Sequence, residues 1–181
     1  MRVISGKYRG KRIMAPKKLP VRPTTDMAKE SLFNILGHHF HLDEISFLDL
    51  FSGTGNISYE MASRGCEDVT AVDQDRNCVE FIKKMSMEMK FDHFSTIRSE
   101  AMQFLKGQYR KWDVIFADPP YEFAGHQLLV DEIFGKGMLA EGGMLILEHG
   151  QDVDFKEYEH LTIVKRYGSV YFSFFEFQES E

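Results

Sequence analysis

From residue 46 onward the chain alternates short, mostly apolar runs with amphipathic stretches, and this repetition limits what it can fold into more than any other feature. The runs stand at Phe47–Phe51, Val69–Asp73, Ser95–Arg98, Val114–Asp118 and Met144–Glu148. Helical spacing of apolar positions fills the intervals near 56–64, 75–90, 100–107 and 125–134. Strands linked by helical crossovers run parallel, so the pattern predicts an α/β domain of Rossmann-like form, with a largely parallel sheet and helices on both faces. A chain of 181 residues suits one such domain with a substantial core and is too short for two.

The two ends depart from the repetition. "HLTIVKRYGSVYFSFFEF" holds two strand-like runs separated by Tyr167-Gly168-Ser169, which predicts a β-hairpin whose Phe172, Phe174, Phe175 and Phe177 pack in the core or along an edge. Upstream, Pro16, Pro20 and Pro23 keep the chain extended, and "PTTDMAKESLFNIL" opens a helix. Thr24 or Thr25 can serve as its N-cap, Asp26 lies in its first turn, and Leu32, Phe33, Ile35 and Leu36 form its apolar face. No signal peptide is expected, because no apolar stretch follows Arg2, and no run reaches the roughly 18 apolar residues of a membrane span. Cys66 and Cys78, without a CxxC, suggest neither a disulfide framework nor zinc, and a reducing cytoplasm is the simplest setting. His38, His39 and His41 lack companion ligands and read as a solvated helix end, so no metal is expected.

Charge is distributed unevenly. Residues 1–22 carry Arg2, Lys7, Arg9, Lys11, Arg12, Lys17, Lys18 and Arg22 with no acidic residue, whereas the whole chain has a net charge of −6. The alternation in "RVISGKYRGKRI" suggests a hairpin turning at Gly6 or Gly10 rather than a loose tail. A basic arm of residues 1–23 on an acidic body of residues 24–181 is suited to meeting a polyanion, with Arg2, Lys7, Arg9, Lys11, Arg12 and Arg22 as the candidate contacts.

"FLDLFSGTGNIS" sets a strand against a glycine turn and then a helix, with Phe51, Gly53, Gly55 and Asn56 around the turn. Glycines here let a ligand approach the backbone. Ser58 stands where a dinucleotide fingerprint wants Gly or Ala, and no GxxxxGK sequence occurs, so nicotinamide chemistry and nucleotide hydrolysis lose ground. Asp73 follows Gly55 by 18 residues, near the interval at which an acidic residue receives ribose hydroxyls. Asp75 reads as a helix cap. Glu100, with the Ala101 backbone, either flanks an adenine edge or favours its own helix N-terminus. Asp49 either attracts a cationic ligand group or is structural. These strand ends share the carboxyl edge of one parallel sheet and describe a nucleoside pocket without a phosphate clamp, which suits S-adenosylmethionine.

The fourth strand ends in "ADPPYEF" on the same edge. The exocyclic amine of a nucleobase is a poor nucleophile because its lone pair is delocalised into the ring. Acceptors fixed against its N–H groups favour pyramidalisation. Asp118 can supply one and the Pro119 carbonyl another, with Pro119 and Pro120 holding the backbone still. Tyr121 can stack on an unpaired base, a contact worth ~1–3 kcal/mol in single-strand binders.

Together these residues resemble the class I amino-methyltransferases, and more closely the bacterial 16S rRNA guanine-N2 methyltransferase family. That family opens with a basic "R-V/I-I-x-G-x-x-R-G" arm, matched by Arg2 to Gly10, and continues with "R-P-T-x-D-x-x-(K/R)-E-x-L-F-N", matched by Arg22 to Asn34. The resemblance runs essentially end to end. It implies a seven-stranded sheet with an antiparallel last strand and methyl transfer from S-adenosylmethionine to the N2 amine of one guanine in small-subunit rRNA. It also implies an assembling 30S particle as partner and a monomeric enzyme. Cofactor contacts fall on the glycine loop, Asp73, Glu100 and Ala101, and catalysis on Asp118 to Tyr121. The chain departs in having Glu100 where aspartate is commoner, and Ser52 and Thr54 in a loop that often has Ala and Ser. N6-adenine methylation shares the DPPY motif, and a non-catalytic RNA-binding assembly factor is the reading from another class.

Overall fold

The computed structural model describes residues 1–17, 19 and 24–177; Lys18, Pro20, Val21, Arg22, Pro23 and residues 178–181 lie outside it, and with them the expectations for Arg22, Lys18, Pro20 and Pro23. Its elements follow in the order α1 (Asp26–His39), β1 (Ser46–Leu50), α2 (Asn56–Ser63), β2 (Asp68–Asp73), α3 (Arg76–Glu88), β3 (Phe94–Arg98), α4 (Ala101–Lys106), β4 (Trp112–Ala117), α5 (His126–Gly135), β5 (Leu139–His149), β6 (Leu161–Tyr167) and β7 (Val170–Glu176). The strands form one seven-stranded sheet in the order β3-β2-β1-β4-β5-β7-β6. β1 to β5 pair in parallel, and β7 is antiparallel to both β5 and β6. The strand order reverses between β1 and β4, which is where such sheets open a ligand crevice at their carboxyl edge.

The period-2 alternation of the strands divides the core. Leu48, Leu50, Ile115, Ala117, Leu145 and Leu147 face α4 and α5. Phe47, Val114, Phe116, Met144 and Ile146 face α1 and α2. Thr25 caps α1 by accepting from the Ala28 N–H at 3.3 Å. β5 starts at Leu139, five residues before the apolar run that predicted it. Gly142 and Gly143 conceal this part of the strand from a propensity reading, yet the Gly142 N–H donates to the Phe177 carbonyl and the Phe177 N–H to the Gly143 carbonyl.

Residues 1–13 lie along α2 as a narrow hairpin. The Val3 N–H donates to Lys11 O and the Ile13 N–H to Met1 O, and Val3 and Ile13 are buried against Tyr59, Ile82 and Met89. Gly6 (φ +80°) presses on the last turn of α2, where a Cβ would stand 1.7 Å from the Ser63 carbonyl oxygen. Among the described residues no helix is long and apolar enough to cross a membrane.

Candidate active site

Strand alternation delivers four carboxyl groups to one face of one edge. Asp73 ends β2, Asp49 lies in β1, Asp118 follows β4 and Glu148 lies in β5, and these four strands are adjacent in that order. All four share the parity of Val69, Phe47, Phe116 and Ile146, so they face the α1–α2 side. Glu148 carried no expectation of function; it is a second carboxyl beside Asp118. The signal for it is a polar residue closing the run "MLIL", but its neighbour depends on strand register, which a sequence does not display.

Each carboxyl is held differently. Both oxygens of Asp73 accept backbone N–H groups, Oδ2 from Gly53 and Oδ1 from Asp75, each at 2.8 Å. These bonds tie the glycine loop to the end of β2 and leave lone pairs toward the crevice. Asp49 is buried and accepts from the Ser58 hydroxyl at 2.5 Å. Burial pushes its carboxyl up to about 8, with the nearby Asp118 and Asp73 charges adding to the rise. Burial also raises Asp73, against the pull of its two backbone donors. Burial lifts Asp118 to about 7, and burial plus the Asp118 charge lifts Glu148 to about 8. A cationic ligand would draw these carboxyls back to their charged form, whereas a phosphate would not, so the crevice favours a cation bearing hydroxyl groups. This row of carboxyl acceptors therefore fits S-adenosylmethionine.

The glycine loop is also built for its own packing. Phe51 takes a left-handed φ of 62° and Gly53 one of 55°. Phe51 meets Phe123 edge-on at 5.2 Å, which couples this loop to the one after β4. Gly55 (φ +81°) has the Tyr59 ring against it, 2.7 Å from where a Cβ would be. Both ends of the Asn56 amide are engaged within the protein: its Oδ1 accepts from Lys29 Nζ at 2.9 Å and its Nδ2 donates to Thr24 O at 3.3 Å. The Glu100 carboxylate caps α4, accepting from Met102 and Gln103 N–H groups at 3.0 and 2.8 Å, and Ala101 is buried behind it. Asp75 caps α3 through the Cys78 N–H.

In the loop after β4, the Asp118 N–H reaches Leu50 O at 3.4 Å, and the Phe123 N–H donates to Pro120 O at 2.9 Å, closing a tight turn. Among the described residues the Pro119 carbonyl takes no donor. Pro119 is buried and Pro120 exposed. Tyr121 is 75% exposed, so it is not a core residue and its ring is open to a partner.

Lys29 is the buried cation that the sequence reading overlooked. It is 1% exposed, and its Nζ reaches Arg2 O at 2.6 Å, Asn56 Oδ1 at 2.9 Å and Glu60 Oε2 at 3.3 Å. Glu60 is fully buried and also accepts Ile4 and Ser5 N–H groups and Arg64 Nε. Lys29 stands three and four positions before Leu32 and Phe33, on the apolar stripe of α1, and that periodicity is the signal that marks it. The network clamps the start of the arm to the helices beside the carboxyl row.

The arm does not gather its cations at one place. Met1 Sδ lies 3.8 Å from Thr54 Oγ1 of the glycine loop, and Arg2 pairs with Asp26 at 3.0 Å, so this end borders the crevice. Arg12 is bridged to Arg2 across the hairpin. Lys7 instead donates its N–H to Ser63 O, and the Tyr8 hydroxyl bonds Met89 O, at the far ends of α2 and α3. The eight residues of α2 separate the two groups by about 12 Å at 1.5 Å per residue. Lys7 and Lys11 sit over the Tyr8 ring, and Arg9 is exposed near the turn. Among the described residues no cluster of His, Cys, Asp and Glu has the arrangement of a metal site.

A doubly wound sheet with β7 inserted antiparallel beside β5, and its crevice at the β1–β4 switch point, defines the class I methyltransferase architecture. A solved structure from Escherichia coli, described provisionally as the methyltransferase yhhF, superposes with a TM-score of 0.86 at 26% identity over 98% of each chain. The same fold holds S-adenosyl-L-homocysteine in an RNA methyltransferase from Salinibacter ruber, at a TM-score of 0.69, 14% identity and coverage of 88% and 96%. The chain belongs to the family described as conserved hypothetical protein 95, whose model matches residues 1–176. A Bacillus subtilis relative, provisionally named rRNA methyltransferase YlbH, is 35% identical over 87% of this chain and 86% of its own. Ribosomal RNA small subunit methyltransferase D of Haemophilus influenzae is 28% identical over 91% and 86%.

Proposed function

We propose that this protein transfers a methyl group from S-adenosylmethionine to the exocyclic N2 amine of a guanine in small-subunit rRNA, presented in an assembling 30S particle. The observation that carries the reading is the rigid Asp118-Pro119-Pro120-Tyr121 turn, which sets an acceptor pair and an exposed aromatic ring within a row of carboxyls. The relatives named for rRNA methylation support it. S-Adenosylmethionine supplies a methyl group on a sulfonium: the amine lone pair forms the N–C bond as the C–S bond breaks, and that bond's electrons stay on sulfur. Asp73 receives the ribose hydroxyls, Gly53 and Gly55 line the approach with Phe51, and Asp49 faces the cationic end. Ala101 flanks the adenine, with Glu100 positioning it as the helix cap.

Asp118 and the Pro119 carbonyl accept the two N–H groups of the amine, and Tyr121 stacks on the base. Asp118 then takes the proton that the methylated amine sheds. Arg2 and Arg12 hold the RNA near the crevice, Arg22 adds to the RNA contact, and Lys7, Arg9 and Lys11 extend it along the arm of residues 1–23. The body of residues 24–181 is catalytic, and the protein works as a monomer.

The test offers labelled S-adenosylmethionine with naked small-subunit rRNA, assembled 30S subunits and DNA, and identifies the modified nucleoside. N2-methylguanosine in rRNA is expected. N6-methyladenosine as the sole product refutes the guanine assignment, and no transfer to any substrate favours a binding factor. Asp118→Ala is expected to abolish turnover with cofactor affinity retained; an equal loss of cofactor binding would show that Asp118 has been given the wrong role.

A further inference from the structure

β4 and β5 pair in parallel with Ala117 opposite Leu147. Asp118 and Glu148 are therefore the next residues on neighbouring chains, about 4.8 Å apart across the sheet. Alternation points both toward α1, on the face of Phe116 and Ile146. Glu148 is only 9% exposed, and its Oε2 accepts from the Thr24 hydroxyl at 3.3 Å. Among the described residues, the other charged groups around it are committed elsewhere. On α1, Lys29 is bound by Glu60 and Asn56, and Asp26 is paired with Arg2. On β1, Asp49 is held by Ser58, and the β7 residue opposite Glu148 is Phe172. His149 faces the other side of β5, its ring nitrogens against Ser173 and Gly150. Among the described residues, Asp118 is left as the charge that acts on Glu148.

We propose that Glu148 is a positioning residue for Asp118, its carboxyl holding one proton on Oε1 and donating it to the Asp118 carboxylate. The inference rests on the methyl-transfer reading above. Two buried carboxyls carried on the same face of adjacent strands resist ionising together, so the pair keeps a single proton near neutral pH. Thr24 fixes which Glu148 oxygen is the acceptor, leaving the other to carry the proton. The donated hydrogen bond keeps Asp118 ionised and turned to the substrate amine. The proton shed after transfer goes to Asp118 and leaves to solvent with the product, while Glu148 retains its own. Burial raises both carboxyls and the Asp118 charge raises Glu148 further, which agrees with this division.

The experiment measures kcat for the full chain with labelled S-adenosylmethionine and rRNA from about pH 5 to pH 10, beside a carbon-13 NMR titration of the Asp and Glu carboxyls. The wild type is expected to lose activity above about 8 as Glu148 ionises. Glu148→Gln keeps a donor toward Asp118 and an acceptor for Thr24, so it loses that alkaline limb and the upper NMR step, with the Asp118 step in place. Glu148→Ala removes the donor, and its kcat at neutral pH falls by at least about tenfold with the cofactor KM unchanged. Thermal melts confirm that both variants are folded. An alkaline limb and an upper step that persist in Glu148→Gln overturn the inference. If the wild type methylates no RNA, the functional reading fails, and the NMR titration alone still decides whether the pair shares a proton.

Discussion

Replacing Lys29 by methionine tests the buried network that fastens the arm to the body. Methionine keeps an unbranched stem of similar length, so the cavity on the α1 stripe stays filled. What is lost is the ammonium and its bonds to Arg2 O, Asn56 Oδ1 and Glu60 Oε2. Breaking a buried ion pair from one side costs about 3–5 kcal/mol, since the surviving charge is stranded. Glu60 retains Arg64 and the Ile4 and Ser5 N–H groups, which places the loss near the lower end, about 3 kcal/mol. For a domain of this size that corresponds to a drop in Tm of about 6–12 °C.

Burial lowers the Lys29 pKa despite the attraction of Glu60, so the desolvation cost outweighs the pairing. Neutralising both partners is therefore milder than neutralising one, and Lys29→Met with Glu60→Gln should recover at least about 1 kcal/mol over the single variant. Urea unfolding followed by circular dichroism measures both at pH 7. Hydrogen exchange at Ile4 and Ser5 reports whether the arm loosens before the body unfolds. A loss below about 1 kcal/mol with unchanged exchange at those amides would refute the clamp.

Three further outcomes are expected. Gly6→Ala meets a left-handed φ and a carbonyl oxygen 1.7 Å from the new Cβ, so it should release the hairpin turn and raise exchange at Val3 and Lys11, read by hydrogen-exchange mass spectrometry. Reversing Arg2 and Arg12 should weaken rRNA binding at constant salt more than reversing Lys7 and Arg9, and both should flatten the salt dependence; an unchanged slope makes the arm structural. Asp49 binds in the fold a proton that an unfolded carboxyl releases near pH 4, so stability falls as pH rises from there to about 8. Asp49→Asn keeps the acceptor for Ser58 and should make that decline shallower in urea titrations at successive pH values.

The parts of this protein that were legible in its sequence are those set by local rules. The β1, β2 and β4 strands came from apolar runs, the α1 and α3 starts from capping residues Thr25 and Asp75, and the C-terminal hairpin from Gly168 between two strand-like runs. The extent of β5 was not legible, because Gly142 and Gly143 belong to a strand only by virtue of pairing with Phe177. Asn56 was expected at the ligand because it follows the glycine loop. Its partners, Lys29 and Thr24, lie 27 and 32 residues away, and no spacing rule reaches that far.

By itself the sequence determined the strand–helix alternation, the rigid Asp118–Tyr121 turn and the basic character of residues 1–22, since each depends on residue type and neighbours along the chain. Only the tertiary structure decided that Glu148 stands beside Asp118, that Lys29 is sealed under the arm, and that Lys7 and Arg9 lie a helix length from the crevice. The physical reason is common to all three. Register between strands and the docking of one element on another are chosen by packing across the whole core, and burial then alters the proton affinity of whatever polar group is carried inside.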